Sequence, residues 1–241
     1  MDKITNKTII IPGAQKSGTS TVYEVLSSGK SVISPESKEI QFFALPRETV
    51  KKNLGWYFLS RSNNKKVDAD RVLIDVSTYY LPSVRAVENI SEFVNDPRII
   101  IILRDPANRF YSGFYHMKKK GPKVEKRDIG QVINIYREHY SKDLDSITFE
   151  ELFQIEDRIV NKAIKDNYIN PNYISKDYIK DWSNLDTPFD TDFEDNLVNY
   201  RYLNLSIYSK SVKRYQKKFG NDNVKIVIFE ELIKYPAKIL D

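Results

Sequence analysis

The chain has 241 residues and a formal net charge of +5, with 41% hydrophobic and 29% charged residues, the balance of an ordinary soluble globular protein. It has no cysteine, which excludes a disulfide scaffold and a thiolate metal site, and its two histidines, His116 and His139, are too few for a histidine-based metal centre. No apolar run approaches the roughly 20 residues of a bilayer span, and Met1 to Lys7 lacks the apolar core of a secretory signal, so the expectation is a cytoplasmic protein without a transmembrane segment.

In chain order, Ile9 to Ile11 is a β-branched run and reads as a buried strand. The loop Pro12 to Gly18 follows, with two glycines and Lys16, and a helical pattern begins at Thr19, with Thr19, Ser20 or Thr21 available as caps. Strand, glycine-rich loop and helix form the geometry that aims backbone N–H groups and a positive helix end at a phosphate. Ser31 to Ile33 is a short strand candidate, and Lys38 to Phe43 runs from a charged pair into an aromatic pair. Gly55 to Phe58 is a second aromatic cluster, followed by a polar loop from about Arg61 to Asp70. Val72 to Val76 reads as a buried strand, with Ser77 and Thr78 at its C-terminal end, and a helix is expected over Ser83 to Val94.

Ile99 to Leu103 is the strongest strand signal, apolar throughout as in a parallel sheet covered on both faces. Arg104-Asp105-Pro106 ends it, and helices are expected over Ala107–Lys119, Ile129–Tyr140, Thr148–Asn167 and Leu197–Phe219. The stretch Tyr168 to Asp195 is irregular and acidic, and Val224 to Phe229 reads as a last strand. Alternating strands and helices predict an α/β fold with a central parallel sheet flanked by helices in three layers, whose ligands bind at strand C-terminal ends. Lys16, Ser77 and Arg104 all fall at such ends.

The first loop is not a Walker A sequence, because Lys16 precedes Gly18 instead of following it. Arg104 stands where a Walker B carboxylate would hold magnesium, which favours a second anionic group over metal-assisted phosphoryl transfer. Arg104 in the turn and Ser112 on the next helix together suit a phosphate.

The segments I-I-P-G-A-Q-K-S-G-T-S-T-V-Y, K-E-I-Q-F-F, G-W-Y and L-R-D-P-A-N-R-F-Y-S-G-F-Y, in this order, resemble sulfotransferases that use 3′-phosphoadenosine 5′-phosphosulfate (PAPS), most closely the sulfotransferase domains of the heparan sulfate N- and 3-O-sulfotransferases. The likeness continues through Tyr208–Phe219 and Val224–Pro236. It implies a P-loop-like fold and one sulfotransferase domain over 1–241; the stretch of about 122–200, longer than in the glycan enzymes, departs from the family and reads as a helical and acidic insertion, a lid or acceptor-binding region. It further implies that Gln15, Lys16, Ser17, Gly18, Thr19, Ser20 and Thr21 bind the 5′-phosphosulfate, and that Arg104 and Ser112 bind the 3′-phosphate. Glu39 matches the catalytic carboxylate, taking the acceptor's proton during in-line attack on sulfur, with Lys16 stabilising the leaving oxygen. Asp75, Ser77, Tyr80 and His116 are the acceptor-side candidates. The product would be adenosine 3′,5′-bisphosphate, and the chemistry requires no metal.

Besides the insertion, two departures from the family pattern stand out. Val76 occupies the place of an active-site lysine, and the chain stops at Asp241 where family members continue, which reads as a truncated domain or as a pocket closed another way. The expected partner is a small-molecule or glycan acceptor and not a nucleic acid. The acidic stretch Asp177–Asp195 suits a neutral or cationic acceptor, whereas Lys118, Lys119, Lys120, Lys123, Lys126 and Arg127 suit an anionic chain. The competing readings are a P-loop nucleotide kinase and a non-catalytic module for anionic glycans.

Overall fold

The computed structural model describes residues 3–35, 38–62, 70–120, 148–154, 157 and 204–237. The expected helix Ile129–Tyr140, the irregular acidic stretch Tyr168–Asp195, and Lys123, Lys126 and Arg127 lie outside these residues. Two compact units divide the chain, one of residues 1–105 and 208–241, the other of residues 106–207.

The first unit is a five-stranded sheet of β1 (Thr8–Gly13), β2 (Val32–Ile33), β3 (Val72–Val76), β4 (Arg98–Leu103) and β5 (Val224–Ile228). The order is β2-β3-β1-β4-β5 and every pairing is parallel. The chain leaves β1 toward β2, returns to β3, then crosses to β4 on the other side of β1. That reversal opens a crevice at the C-terminal end of β1, where open parallel sheets bind ligands.

Alternation along the strands gives the sheet two apolar faces. On one, Ile11, Ile74, Val76, Ile102 and Val227 pack with Val22 of α1 (Thr19–Ser27) and Leu232 of α6 (Phe229–Lys234). On the other, Ile10, Leu73, Ile99 and Ile101 are buried, as are Val87, Ile90 and Phe93 of α3 (Val84–Phe93). Tyr215 of α5 (Ser209–Phe219) reaches this layer and donates to the Tyr80 carbonyl at 2.8 Å.

Strand β1 runs through Pro12, beyond the expected end at Ile11. Proline lacks the ladder N–H and belongs at bulges, and a bulge is present: Ile10 pairs with Ile99 but Gly13 with Ile101. The Pro12 carbonyl is still used, accepting from Leu81 N at 2.9 Å. The expected helix Leu197–Phe219 is shorter, beginning at Ser209 after a 3-10 turn at Asn204–Ser206.

Helix α2 (Arg47–Ser62) was not legible as a helix. Val50, Leu54 and Tyr57 do recur at helical spacing and are buried. Gly55 and the charged Lys51 and Lys52 hide that stripe, and Asn53 departs from helical dihedrals at φ −110°. Its side chain donates to the Thr49 carbonyl at 2.8 Å.

The second unit contains α4 (Pro106–Lys120) and a helical stretch at 149–154. The latter opens with a reciprocal cap: Thr148 N donates to Glu151 Oε2 at 2.9 Å, and Glu151 N to Thr148 Oγ1 at 3.2 Å. Phe149 meets Phe110 edge-on at 4.9 Å. Arg109 is fully buried and donates to Ser206 Oγ at 3.4 Å.

Candidate functional site

The loop after β1 and the start of α1 have the features of an anion cradle. The cap position of α1 is Gly18, at φ 78°, and no side chain caps the helix, so the expected capping by Thr19, Ser20 or Thr21 does not occur. The first-turn N–H groups of an uncapped helix have no intrahelical partner. Ser17 is fully buried, and its hydroxyl has no hydrogen-bond partner among the described residues. An orphaned buried hydroxyl costs about 1–3 kcal/mol unless a ligand meets it, and a phosphate or sulfate oxygen would. Gln15 and Lys16 are half-buried, Thr19 is buried, and Ser20 and Thr21 are exposed.

Gly18 cannot be another residue without rearrangement. Its φ is left-handed, and a Cβ there would lie 2.5 Å from the Phe229 ring. Phe229, at the start of α6, thus packs directly on the loop. The same ring lies 4.9 Å from the Arg104 guanidinium. Arg104 Nη1 donates to the Lys16 carbonyl at 3.1 Å, and Tyr208 Oη donates to the Arg104 carbonyl at 3.0 Å. Arg104 Nε is buried without a partner among the described residues. The end of β4 therefore holds a cation against the loop, with donor capacity left over.

Lys16 has φ 67°, Glu39 67° and Gln41 52°. Left-handed backbone at non-glycine residues costs of order 1–3 kcal/mol each and concentrates at functional sites. Asp96, before β4, is the fourth such residue among those described; Lys16 lies in the loop after β1, and Glu39 and Gln41 share the region at the end of β3.

Glu39 is the centre of that region. Its backbone N–H donates to the Val76 carbonyl at 3.1 Å, fixing the segment to the end of β3. Carboxylate Oε2 accepts from Thr78 N at 2.6 Å, Thr78 Oγ1 at 3.0 Å and Gln41 Nε2 at 2.8 Å. Oε1 accepts from Lys38 Nζ at 2.6 Å. Lys38 Nζ also donates to Thr19 Oγ1 at 3.2 Å, which ties the carboxylate to the start of α1. The pair is not an ordinary surface pair, since the two side chains are only 19% and 32% exposed. Phe42 and Phe43 turn into the core, and donors surround the carboxylate instead.

Asp75, Ser77 and Tyr80 are fully buried. Asp75 accepts from Ser77 Oγ at 2.8 Å, Tyr57 Oη at 2.8 Å and Tyr80 Oη at 3.1 Å. Ser77 Oγ accepts from Gln41 N at 3.2 Å, and Tyr80 Oη from Phe43 N at 3.1 Å. These three hydroxyl donors compensate the burial of the carboxylate. Burial first, then the Asp75 charge, push the Tyr80 phenol well above its usual range, so it stays a donor. The network supports the turn that carries Glu39 and Gln41 from beneath. Asp75→Ala removes the acceptor shared by these hydroxyls and is expected to cost roughly 2–4 kcal/mol, read as a lower urea midpoint; Asp75→Asn, which keeps an acceptor, is expected to cost less.

Ser112 and His116 lie on α4 in the second unit, both half-buried. Val76 sits in the apolar layer beside Ile74 and Val22, so position 76 offers no cation. Lys38, Thr78, Gln41 and Phe229 were not singled out from sequence. For Lys38 the adjacent Glu39 was the available signal; for Phe229 there was none, because its partner Gly18 is at the other end of the chain. Among the described residues no group of three or more His, Cys, Asp or Glu is placed to hold a metal ion, and no helix is long and apolar enough to cross a membrane.

Comparison with known proteins gives a consistent result. The sequence profile of a family described as "Sulfotransferase domain" matches residues 6–241. A bifunctional heparan sulfate N-deacetylase/N-sulfotransferase 3 from Homo sapiens is 32% identical over 116 residues, 45% of this chain and 13% of that protein. A worm counterpart from Caenorhabditis elegans, described as bifunctional heparan sulfate N-deacetylase/N-sulfotransferase 1, is 27% identical over 114 residues. The matched region is thus a small part of these relatives. Among solved structures, a sulfotransferase from Alicyclobacillus acidocaldarius superposes with a TM-score of 0.61 at 19% identity, covering 98% of this chain and 78% of its own. A sulfotransferase domain from the curacin biosynthetic pathway gives 0.50 at 12% identity, covering 99% and 72%. At such identities the likeness concerns the P-loop-like α/β fold.

Proposed function

The chain belongs to the sulfotransferase domain family, and from that premise we propose that it moves a sulfuryl group from PAPS to the hydroxyl or amine of a glycan or small natural product. The residues fit the donor. The uncapped start of α1 and the orphaned Ser17 hydroxyl suit the 5′-phosphosulfate. Arg104, with an unpartnered Nε, suits the 3′-phosphate.

The observation that carries the reading is the connection of Glu39 through Lys38 to Thr19, which joins a carboxylate to the phosphate loop. In the reaction the acceptor's oxygen or nitrogen bonds to sulfur as the bond from sulfur to the 5′-phosphate oxygen breaks. The leaving electron pair stays on that oxygen, and Lys16 stabilises it. The acceptor's proton goes to Glu39. Oε2 already takes three donors and Oε1 one, so Oε1 is the oxygen with room for it. Asp75, Ser77 and Tyr80 act as support for this turn. The 3′-phosphate role of Ser112 and the acceptor role of His116 rest on the family resemblance alone, as does the reading of the 122–200 stretch as an insertion within one domain.

Titration calorimetry with adenosine 3′,5′-bisphosphate and with ADP tests the donor. The bisphosphate is expected to bind at least about tenfold more tightly, the worth of one charge-assisted phosphate contact, and Arg104→Ala to erase the difference. Equal affinity in the unmodified protein would overturn the PAPS assignment in favour of a generic nucleotide site.

A further inference from the structure

Lys38 has no assigned part in the scheme above, yet it is the residue that links the two halves of the site. Its ammonium ion lies 2.6 Å from Glu39 Oε1 and 3.2 Å from Thr19 Oγ1. Its side chain is only 19% exposed, against 51% for Arg47, a cation in a surface ion pair. A solvated lysine gains little from such a pair; a largely covered one that reaches two elements of the site has a defined position. The place where the family resemblance leads one to expect an active-site lysine holds Val76, which is turned into the apolar layer.

Resting on the sulfuryl-transfer reading, we propose that Lys38 is a further catalytic residue, whose ammonium ion contacts the transferring sulfuryl group and supplies the cation that position 76 lacks. In-line displacement requires sulfur to lie between the leaving oxygen, held at the phosphate loop, and the acceptor atom, held at Glu39. A group that touches both Thr19 and Glu39 flanks that line. The charge balance favours the same role. Before transfer Lys38 is paired with the Glu39 carboxylate. As the acceptor's proton arrives at Oε1 the carboxylate is neutralised and its attraction for the ammonium ion weakens, while charge accumulates on the sulfuryl and leaving oxygens. Lys38 thus contacts the sulfuryl group already in the bound ground state, which PAPS affinity reads, and interacts more strongly still with the transition state, which is the condition for an added rate effect. No proton leaves Lys38 in this scheme, and the acceptor's proton ends on Glu39.

The prediction separates the two nucleotides by what differs between them, since PAPS carries the sulfuryl group and adenosine 3′,5′-bisphosphate does not. Affinities of both are measured by calorimetry for the unmodified protein and for Lys38→Met, Lys38→Gln and Lys38→Arg. Met and Gln are expected to weaken PAPS by about tenfold, the worth of one charge-assisted hydrogen bond, with bisphosphate affinity unchanged; Arg is expected to restore PAPS binding. Either neutral variant suffices if the other does not fold. A PAPS-to-bisphosphate ratio unchanged in the neutral variants, equal weakening of both nucleotides, or failure of Arg to restore PAPS binding would each overturn the role of Lys38. Binding of neither nucleotide by the unmodified protein is a different failure, that of the sulfuryl-transfer reading itself.

Discussion

Glu39→Gln is expected to lower the rate of sulfuryl transfer by about 10²–10⁴-fold, the range of a lost general base, with nucleotide affinity unchanged. The substitution keeps the shape of the side chain. The amide oxygen can stay where Oε2 accepts from Thr78 N, Thr78 Oγ1 and Gln41 Nε2. The amide nitrogen then replaces Oε1, facing Lys38 with a donor instead of an acceptor, and it cannot take a proton from the acceptor. The left-handed backbone at Glu39, φ 67°, costs glutamine as much as glutamate, so the comparison isolates the carboxylate. Single-turnover transfer of labelled sulfate from PAPS, to an acceptor found by screening hydroxyl and amine compounds, measures the rate. Calorimetry with adenosine 3′,5′-bisphosphate provides the control. Undiminished turnover in Glu39→Gln would remove Glu39 as the base.

The second large effect concerns Lys16. Lys16→Ala is expected to lower the rate by about 10²–10³-fold, as for the loss of one donor to a developing oxyanion, and to weaken bisphosphate binding by a smaller factor. Lys16 has φ 67°, where glycine would sit without strain. A lysine at such a position is therefore held for its side chain and not for its backbone. Alanine carries the same backbone penalty, and the carbonyl that accepts from Arg104 Nη1 is retained, so the loop should keep its conformation. Single-turnover transfer together with bisphosphate calorimetry separates the two effects: the rate should fall more than the affinity. Equal losses in both would make Lys16 a binding residue with no preference for the transition state.

Much of the site was readable from local sequence. The strand–loop–helix at Thr8–Ser27 and the all-apolar Ile99–Leu103 declare themselves because a strand buried on both faces needs an uninterrupted apolar run, and a turn after it needs glycine. The position of Lys16 ahead of Gly18 set the loop apart from Walker sequences. Arg104 at the end of β4 pointed to an anion and away from a metal. Each of these signals lies within a few consecutive residues.

Other features have no local signature. Pro12 marks the end of a strand in sequence, yet a bulge against β4 lets β1 continue through Gly13. Tyr57 looked like one member of an aromatic cluster until α2 brought its hydroxyl to the Asp75 carboxylate. Gly18 shows its full constraint only against Phe229.

The sequence by itself determined the alternation of strands and helices and the glycine-rich loop between β1 and α1, because periodicity and turn chemistry act between near neighbours; the interest in Glu39 came from the family resemblance of its segment. Only the tertiary structure decided that Asp75, Ser77 and Tyr80 form a buried network and that Lys38 spans the Glu39 carboxylate and the start of α1. Those assignments depend on β3 lying beside β1 in the sheet, and on the bond from Glu39 N to the Val76 carbonyl that sets the loop against the strand end. Pairings between segments far apart in sequence create that proximity, and no local pattern encodes them.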